Sequence, residues 1–348
     1  MRKTKISVIG CFYSGREVSD GQGVKTKILT EELERLYGID SICRIDTYGW
    51  KRNPFRLLAQ SVHAVWNSDN VIFLTDDKGT KVFPHLLYWA NVTRKSKIHY
   101  YVVGGWLSGY LDKSKPAANV LRKMDAIYVE LSAMQKELEE RGFHNVVLVN
   151  KFRRMVSVNP EDIPKRPIRP YQLCFFSRVM KEKGLEEAVS AVKLMNERAG
   201  CEKYTLDIFG AVHSAYQTEF AEMQKSFPPY IRYGGVIDFH KSGSVLKDYF
   251  AMLFPTFYTS EGYPNVIVDA FSAGLPVVAT RWNYNGDIIR NWIDGVLVDV
   301  GNVEEIADAV EMMVADEQRY AEMRANCLAR CAEYLPENAI IKVVEHLR

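Results

Sequence analysis

Six near-continuous apolar runs alternate with helical stretches in the first half of this 348-residue chain, and six more do so in the second. The first set is KISVIG (5–10), IDSICRID (39–46), NVIFLT (70–75), IHYYVVGG (98–105), AIYVEL (126–131) and NVVLVN (145–150). The second is YQLCFFSRV (171–179), YTLDIFG (204–210), IRYGGVI (231–237), YFAMLFP (249–255), PVVAT (276–280) and GVLVDV (295–300). A strand that is apolar on both faces must be covered on both. Repeated strand–helix order of this kind therefore predicts parallel sheets flanked by helices, a doubly wound α/β class. Between the first two runs Val24, Ile28, Leu29, Leu33 and Leu36 fall at helical spacing, and in 303–314 the apolar face is Val303, Ile306, Ala307, Val310 and Val314. The length exceeds one ordinary core. The proline-rich, basic stretch NPEDIPKRPIRP (159–170) reads as a linker. Domains are expected at 1–165 and 166–333, with one amphipathic C-terminal helix in 334–348 packing back toward the first. In such folds ligands sit at the carboxyl ends of the strands, and two such domains would place the active site in a cleft between them.

Composition narrows the classes. With 47% hydrophobic and 25% charged residues the chain is ordinary for a globular protein, and no apolar run approaches the ~20 residues of a bilayer span. The start, MRKTKISVIGCFYSG, is basic and then apolar, but Gly10 breaks the run early, so a first strand is expected rather than a signal peptide. Six scattered cysteines form no C-x-x-C, and Cys327 with Cys331 cannot make a zinc site alone, so reduced thiols in the cytoplasm and no metal are expected. The net charge of +2 hides an asymmetry: residues 1–165 carry 26 Lys+Arg against 18 Asp+Glu, and residues 166–348 carry 19 against 25. A basic first half suits an anionic membrane surface or a phosphorylated acceptor, and no recognisable module favours nucleic acid.

The chemistry concentrates in FPTFYTSEGYPNVIVDAFSAGLP (254–276). An apolar run, a turn of Gly262, Tyr263, Pro264 and Asn265, and a helix from Val266 to Ala273 present free backbone N–H groups and a positive helix end to a phosphate. Glu261 stands ahead of the turn. Asp269 lies within the helix, in an apolar setting that a charge enters only with a partner. Eight residues of helix would rise about 12 Å. Glycosidase carboxylates stand about 5–5.5 or 6.5–9.5 Å apart, which argues against a hydrolase and for a diphosphate and ribose lying between the two. Arg178 ends a strand, and Lys183-Gly184 opens the next helix in SRVMKEKGLEEAV; a forked guanidinium and a mobile ammonium there can converge on one diphosphate.

These motifs resemble the donor domain of the retaining glycosyltransferases of family 4, which have the GT-B fold of two Rossmann-like domains. That family's E-x7-E appears as Glu261-x7-Asp269, with the second Glu shortened to Asp. Its R-x4-K-G appears as Arg178-x4-Lys183-Gly184. EGYPNVIVDAFSAGLPVVAT, followed by RWNYNGDII, is similar to enzymes of bacterial capsule and exopolysaccharide loci. The resemblance implies that Arg178 and Lys183 neutralise a diphosphate leaving group and that Glu261 faces the donor sugar. It implies that the backbone of Gly262 to Val266 holds sugar hydroxyls and the distal phosphate, and that Asp269 binds the ribose. Gly210, at the end of YTLDIFG, joins the donor-binding set. Transfer from a nucleotide diphosphate with retention and without metal or cofactor is the implied activity.

In the first half, Gly21 and Gly23 let the backbone approach a donor phosphate or an acceptor, or simply open a helix. Gly105 and Trp106 are placed to line a cleft, with Trp106 a sugar platform. Many relatives carry a His in the loop after that strand, where this chain has Gly104-Gly105. His99 would lie at the strand's far end, and His213 reads as a surface residue. The expected function is transfer of a hexose or N-acetylhexosamine from a UDP-sugar to a polyprenyl-diphosphate-linked saccharide, peripherally on the inner face of the cell membrane. Aromatic and basic residues in 50–56 and 83–97 fit such docking, and fit equally an aromatic core next to solvated charge. The alternatives are an epimerase or hydrolase of the same fold and, favoured by the missing His, a catalytically degenerate nucleotide-sugar-binding subunit.

Overall fold

The computed structural model describes residues 4–14, 21–155, 157–163, 169–238, 241–259 and 261–347. The chain forms two compact units, residues 1–154 with 333–348, and residues 155–332. Each is built on a six-stranded parallel sheet.

In the first unit the strands are β1 (Ile6–Gly10), β2 (Ile42–Asp46), β3 (Asn70–Phe73), β4 (Lys97–Tyr101), β5 (Ala126–Val129) and β6 (Val146–Leu148), in the order β2-β1-β3-β4-β5-β6. The order reverses between β1 and β3, so the loops leaving these two strands diverge and their ends form a switch point. The side-chain amide of Gln22 spans it, donating to the Leu74 carbonyl at 2.9 Å. The helix Gly21–Tyr37 buries Ile28, Leu29 and Leu33 but leaves Val24 and Leu36 exposed. Ile28, Leu29 and Leu33 pack with Ile6, Val8 and Ile72 and with the chain's tail, where Ala339, Ile340, Val343 and Leu347 join the same core. That tail is two short helices, Pro336–Ala339 and Ile341–His346, rather than one.

A buried polar network ties the tail to the sheet. Asn70 donates its amide N–H to the Leu347 carbonyl at 3.1 Å, which turns its Oδ1 toward His99 Nε2, also at 3.1 Å. His99 therefore donates through Nε2 and accepts through Nδ1 from the Tyr128 hydroxyl at 3.1 Å. It is a neutral, fully buried ring in mid-strand. Burial first, then the nearby His346 and Lys97, pushes its pKa from the usual 6.5 down to about 3.

In the second unit the strands are β7 (Tyr171–Phe176), β8 (Tyr204–Phe209), β9 (Ile231–Gly235), β10 (Ala251–Phe254), β11 (Val277–Thr280) and β12 (Gly295–Val298), in the order β12-β11-β10-β7-β8-β9. β10 and β11 are buried at every position, as a sheet covered on both faces requires. The helices Leu185–Ala199 and Val303–Ala315 share one core through Val189, Val192, Met195, Ile306 and Val310. Here the order reverses between β7 and β10.

Two expectations need correction. The division falls at 154/155, eleven residues before the expected 165/166, because the start of the proline-rich stretch belongs to the second unit. Val158 N–H donates to the Ser272 carbonyl at 2.9 Å, and Ile163 is buried. Residues 164–168 lie outside the described set. The helix bearing Asp269 spans Asn265–Ser272. Only the second half of the Glu261–Asp269 interval is helical, so the 12 Å rise does not measure the carboxylate separation.

Because the folded state keeps His99 neutral while the unfolded chain takes up a proton below about pH 6.5, this site's contribution is complete above that pH and is lost as the pH falls toward 3. Between pH 7 and pH 5 its share of the loss is about 2 kcal/mol. The unfolding free energy of His99→Gln, followed by chemical denaturation, should show a pH dependence flatter by that amount.

Candidate active site

The sequence-predicted donor residues fall at the switch point of the second sheet. After β7 the chain stays extended through Ser177 and Val179, whose N–H groups donate to the Phe209 and Ala211 carbonyls at 3.0 and 2.9 Å. Both side chains are buried and Arg178 between them is exposed, as alternation along an extended segment dictates. Its guanidinium makes no ion pair among the described residues. A 3-10 turn, Lys181–Lys183, follows and ends at Gly184, whose φ is 78°. A Cβ at Gly184 would stand 2.1 Å from the Pro255 carbonyl oxygen, so only glycine lets this turn lie against the chain leaving β10.

That close approach brings the two loops together. Phe257 N–H donates to the Glu182 carbonyl at 2.8 Å, and Thr256 Oγ1 to the same oxygen at 3.2 Å. Lys183 Nζ then donates to Glu261 Oε2 in a short, charged hydrogen bond. The pair is largely withdrawn from water, with side-chain exposures of 8% and 11%. The single Thr256 hydroxyl proton is shared with that oxygen, also at 3.2 Å, and the ammonium lies 5.4 Å from the Phe254 ring and 5.2 Å from the Tyr258 ring. The basic residue of one motif and the acidic residue of the other, 78 positions apart, are thus in direct contact.

Beyond Glu261 the chain turns through half-buried Gly262 and Tyr263 and buried Pro264 into the helix. The N–H groups of Gly262, Asn265 and Val266 donate to no acceptor among the described residues. Such a bend is a set of unsatisfied donors beside a helix N-terminus, which is what an anionic group binds. Asp269 is buried on the helix and lies near Cys331, whose thiol pKa is raised by burial first and by that carboxylate as well.

Gly210 has a different place. Its N–H donates to the Gly235 carbonyl at 2.9 Å and its own carbonyl accepts from the Tyr233 hydroxyl at 2.9 Å. A Cβ there would stand 1.8 Å from the Ser177 oxygen, so the residue packs the end of β8 against the end of β7. His213 is half-buried and caps the turn Ser214–Tyr216 through Nδ1.

Three residues that support the site carried no role in the sequence reading. Trp282 Nε1 donates to the Tyr258 carbonyl at 2.9 Å. The Asn283 amide reaches the Thr259 and Glu261 carbonyls at 3.2 and 3.1 Å, and Tyr258 O at 3.4 Å. Thr280 Oγ1 donates to the Thr256 carbonyl. The loop carrying Glu261 is therefore held from the end of β11. Asn283 sits at φ 43°, a left-handed conformation that Asn tolerates, and an Asn three residues past an apolar strand was the one available signal.

In the first unit, Gly21 and Gly23 begin the helix Gly21–Tyr37, and Gly15 lies outside the described residues. Gly105 is exposed after β4. Trp106 is half-buried, donates its indole N–H to the Val103 carbonyl at 2.9 Å and packs edge-on against Tyr110. Among the described residues no group of three His, Cys, Asp or Glu is placed to hold a metal ion.

The fold is that of the GT-B glycosyltransferases. Anabaena HepE, solved in complex with UDP, superposes with a TM-score of 0.72 at 15% identity over 99% of both chains. The lipopolysaccharide outer core galactosyltransferase WaaB does so at 0.66 and 16%, again over 99% of both. Residues 170–316, which hold every donor residue described above, match the family described as glycosyl transferases group 1. Among curated proteins, a probable sucrose-phosphate synthase 1 of Craterostigma plantagineum is 32% identical over 34% of this chain and 12% of its own length. The GtfA subunit of a UDP-N-acetylglucosamine–peptide N-acetylglucosaminyltransferase of Streptococcus gordonii is 27% identical over 61% of this chain and 42% of its own. An Escherichia coli UDP-Gal:alpha-D-GlcNAc-diphosphoundecaprenol alpha-1,3-galactosyltransferase is 29% identical over 24% and 21%. The chain thus spans between 12% and 42% of the length of these curated relatives.

Asn283→Ala removes the donors that hold the Glu261 loop. It should cost about 1–2 kcal/mol in unfolding free energy and raise hydrogen exchange of the amides in 258–262, read by mass spectrometry. Unchanged exchange there would mean the loop is held by other contacts.

Proposed function

We propose that the chain is a retaining, metal-independent glycosyltransferase of family 4 that moves a hexose or N-acetylhexosamine from a UDP-sugar to a lipid-linked saccharide in bacterial surface polysaccharide synthesis. The observation that carries this reading is the contact of Lys183 with Glu261 at the switch point of the second sheet, beside a bend whose Gly262, Asn265 and Val266 N–H groups donate to no acceptor among the described residues. Arg178, Lys183 and the helix end would stabilise the diphosphate as it leaves, Glu261 would orient the sugar, and Asp269 would hold the ribose. In front-face transfer the acceptor oxygen bonds to the anomeric carbon as the carbon–oxygen bond to the diphosphate breaks. The acceptor's proton passes to the departing phosphate oxygen. Charge develops on that oxygen, so preorganised cations next to it lower the barrier most. The UDP in the HepE complex and the diphosphoundecaprenol substrate in the name of the E. coli relative support the choice of donor and acceptor class. Glu261→Ala and Lys183→Ala should each cut transfer at least about a hundredfold while thermal unfolding stays cooperative. Near-wild-type turnover in either variant would refute the assignment.

A second reading, a nucleotide-sugar-binding subunit without its own activity, draws on Gly104-Gly105, where a side chain that could touch a donor sugar is missing. UDP binding without turnover under any acceptor would favour it.

We also place the enzyme on an anionic membrane surface. No helix among the described residues is long and apolar enough to cross a bilayer. Residues 50–123 contain twelve Lys+Arg and four Asp+Glu, which accounts for the whole excess of positive charge in the first half. The helices Pro54–Asn67 and Phe83–Asn91 from this segment pack together, and their outer side leaves Phe55, Trp66 and Trp89 at 81%, 52% and 70% exposure. Trp66 bonds to the Ala90 carbonyl beneath the Arg94 guanidinium, and Lys123 covers Tyr88 beside Trp89. Aromatic rings interleaved with cations fit a headgroup region. Arg94→Glu with Lys95→Glu should lower co-sedimentation with phosphatidylglycerol-containing vesicles about tenfold or more, each charge near the surface being worth about 1 kcal/mol. Equal binding to neutral phosphatidylcholine vesicles would refute the placement.

A further inference from the structure

The cation that the proposed reaction needs for a diphosphate already has an anionic partner. Lys183 Nζ is bonded to Glu261 Oε2, the oxygen that also accepts from Thr256, and both side chains are close to fully buried. Arg178, exposed five residues earlier, makes no such pair among the described residues. We infer that Glu261 is a placeholder for the diphosphate, and that exchanging it makes the site prefer a sugar-loaded nucleotide to the bare nucleoside diphosphate that remains after transfer. This rests on the proposed role of Lys183.

The reason is electrostatic. A diphosphate oxygen that takes the Lys183 ammonium leaves the Glu261 carboxylate short of its counter-charge in a site that excludes water, and a stranded buried charge is costly. A loaded donor offsets that cost, because its sugar hydroxyls donate to the released carboxylate. A bare diphosphate offers no donor and brings extra negative charge toward Glu261. The loop cannot relieve the conflict by withdrawing, since Trp282 and Asn283 hold its carbonyls and the Glu182 carbonyl holds Phe257. The same pair would then tighten the grip on substrate and loosen it on product, a discrimination built from a repulsive element as much as from an attractive one.

The test is isothermal titration of UDP and of the UDP-sugar that binds best from a panel of UDP-glucose, UDP-galactose and UDP-N-acetylglucosamine. Glu261→Gln should bind UDP about fivefold to twentyfold more tightly than the wild type and the UDP-sugar no more tightly, so that the preference collapses. Thr256→Val, which takes one hydrogen bond from the released carboxylate and so raises the cost of stranding it, should weaken UDP binding by about twofold relative to the UDP-sugar, and it carries the test if Glu261→Gln does not fold. In a Lys183→Met background, Glu261→Gln should raise UDP affinity by much less than it does with Lys183 present, a coupling that a merely structural pair would not show. Unchanged or weaker UDP binding by Glu261→Gln would overturn the placeholder while leaving the glycosyltransferase reading in place. A wild-type protein that binds neither UDP nor any UDP-sugar would remove both.

Discussion

Two chains leaving adjacent strands can meet backbone to backbone only where one of them lacks a side chain, and the donor-type site depends on that constraint. Gly184 lies against the Pro255 carbonyl, and Gly210 against that of Ser177, so the ends of β7, β8 and β10 are packed without intervening side chains. Everything chemical is hung from this contact. It sets the 3-10 turn close enough to β10 for the Glu182 carbonyl to accept from Phe257 and Thr256, and so delivers Lys183 to Glu261. A buried ion pair adds little net stability for its cost in desolvation. On the function proposed above, the pair is the resting arrangement of a site that takes up another anion.

The twelve strands were legible because parallel strands covered on both faces must be apolar at nearly every position. The runs nonetheless overshot the strands at their carboxyl ends: SRV after Phe176 and VVGG after Tyr101 lie beyond the strands proper, held by isolated backbone bonds such as that of Val179 N–H to the Ala211 carbonyl. Those overshoots are where Arg178 and Gly104-Gly105 sit, just past the strand ends, the region where parallel sheets generally bind ligands. The domain boundary was misplaced for a different reason. Prolines mark where helix and ladder hydrogen bonding stop, and they do not reveal which core a segment packs against; Ile163 and the Val158 amide bind the second unit.

Within the site, residue identities were legible and contacts were not. Local motif spacing pointed to Lys183 and Glu261 separately, yet their mutual bond spans 78 residues. The supporting role of Trp282 and Asn283 arises only when β11 lies beside β10 and brings them under the loop at 258–261. The helical-rise estimate failed because the turn consumes the first half of the interval, so periodicity was applied to residues that are not helical.

The order in which the chain is made gives the tail of the first unit a temporal meaning. Its sheet is complete by Leu148, but Ile340, Val343 and Leu347, which close that core, follow the entire second unit in sequence. Until they arrive, Asn70 lacks the Leu347 carbonyl it bonds, and one wall of β1, β3 and β5 stays open to water. Synthesis runs from the N-terminus, and domains tend to fold as they emerge. Here the ribosome delivers a later-encoded lobe that can finish first, while the earlier one waits for its lid.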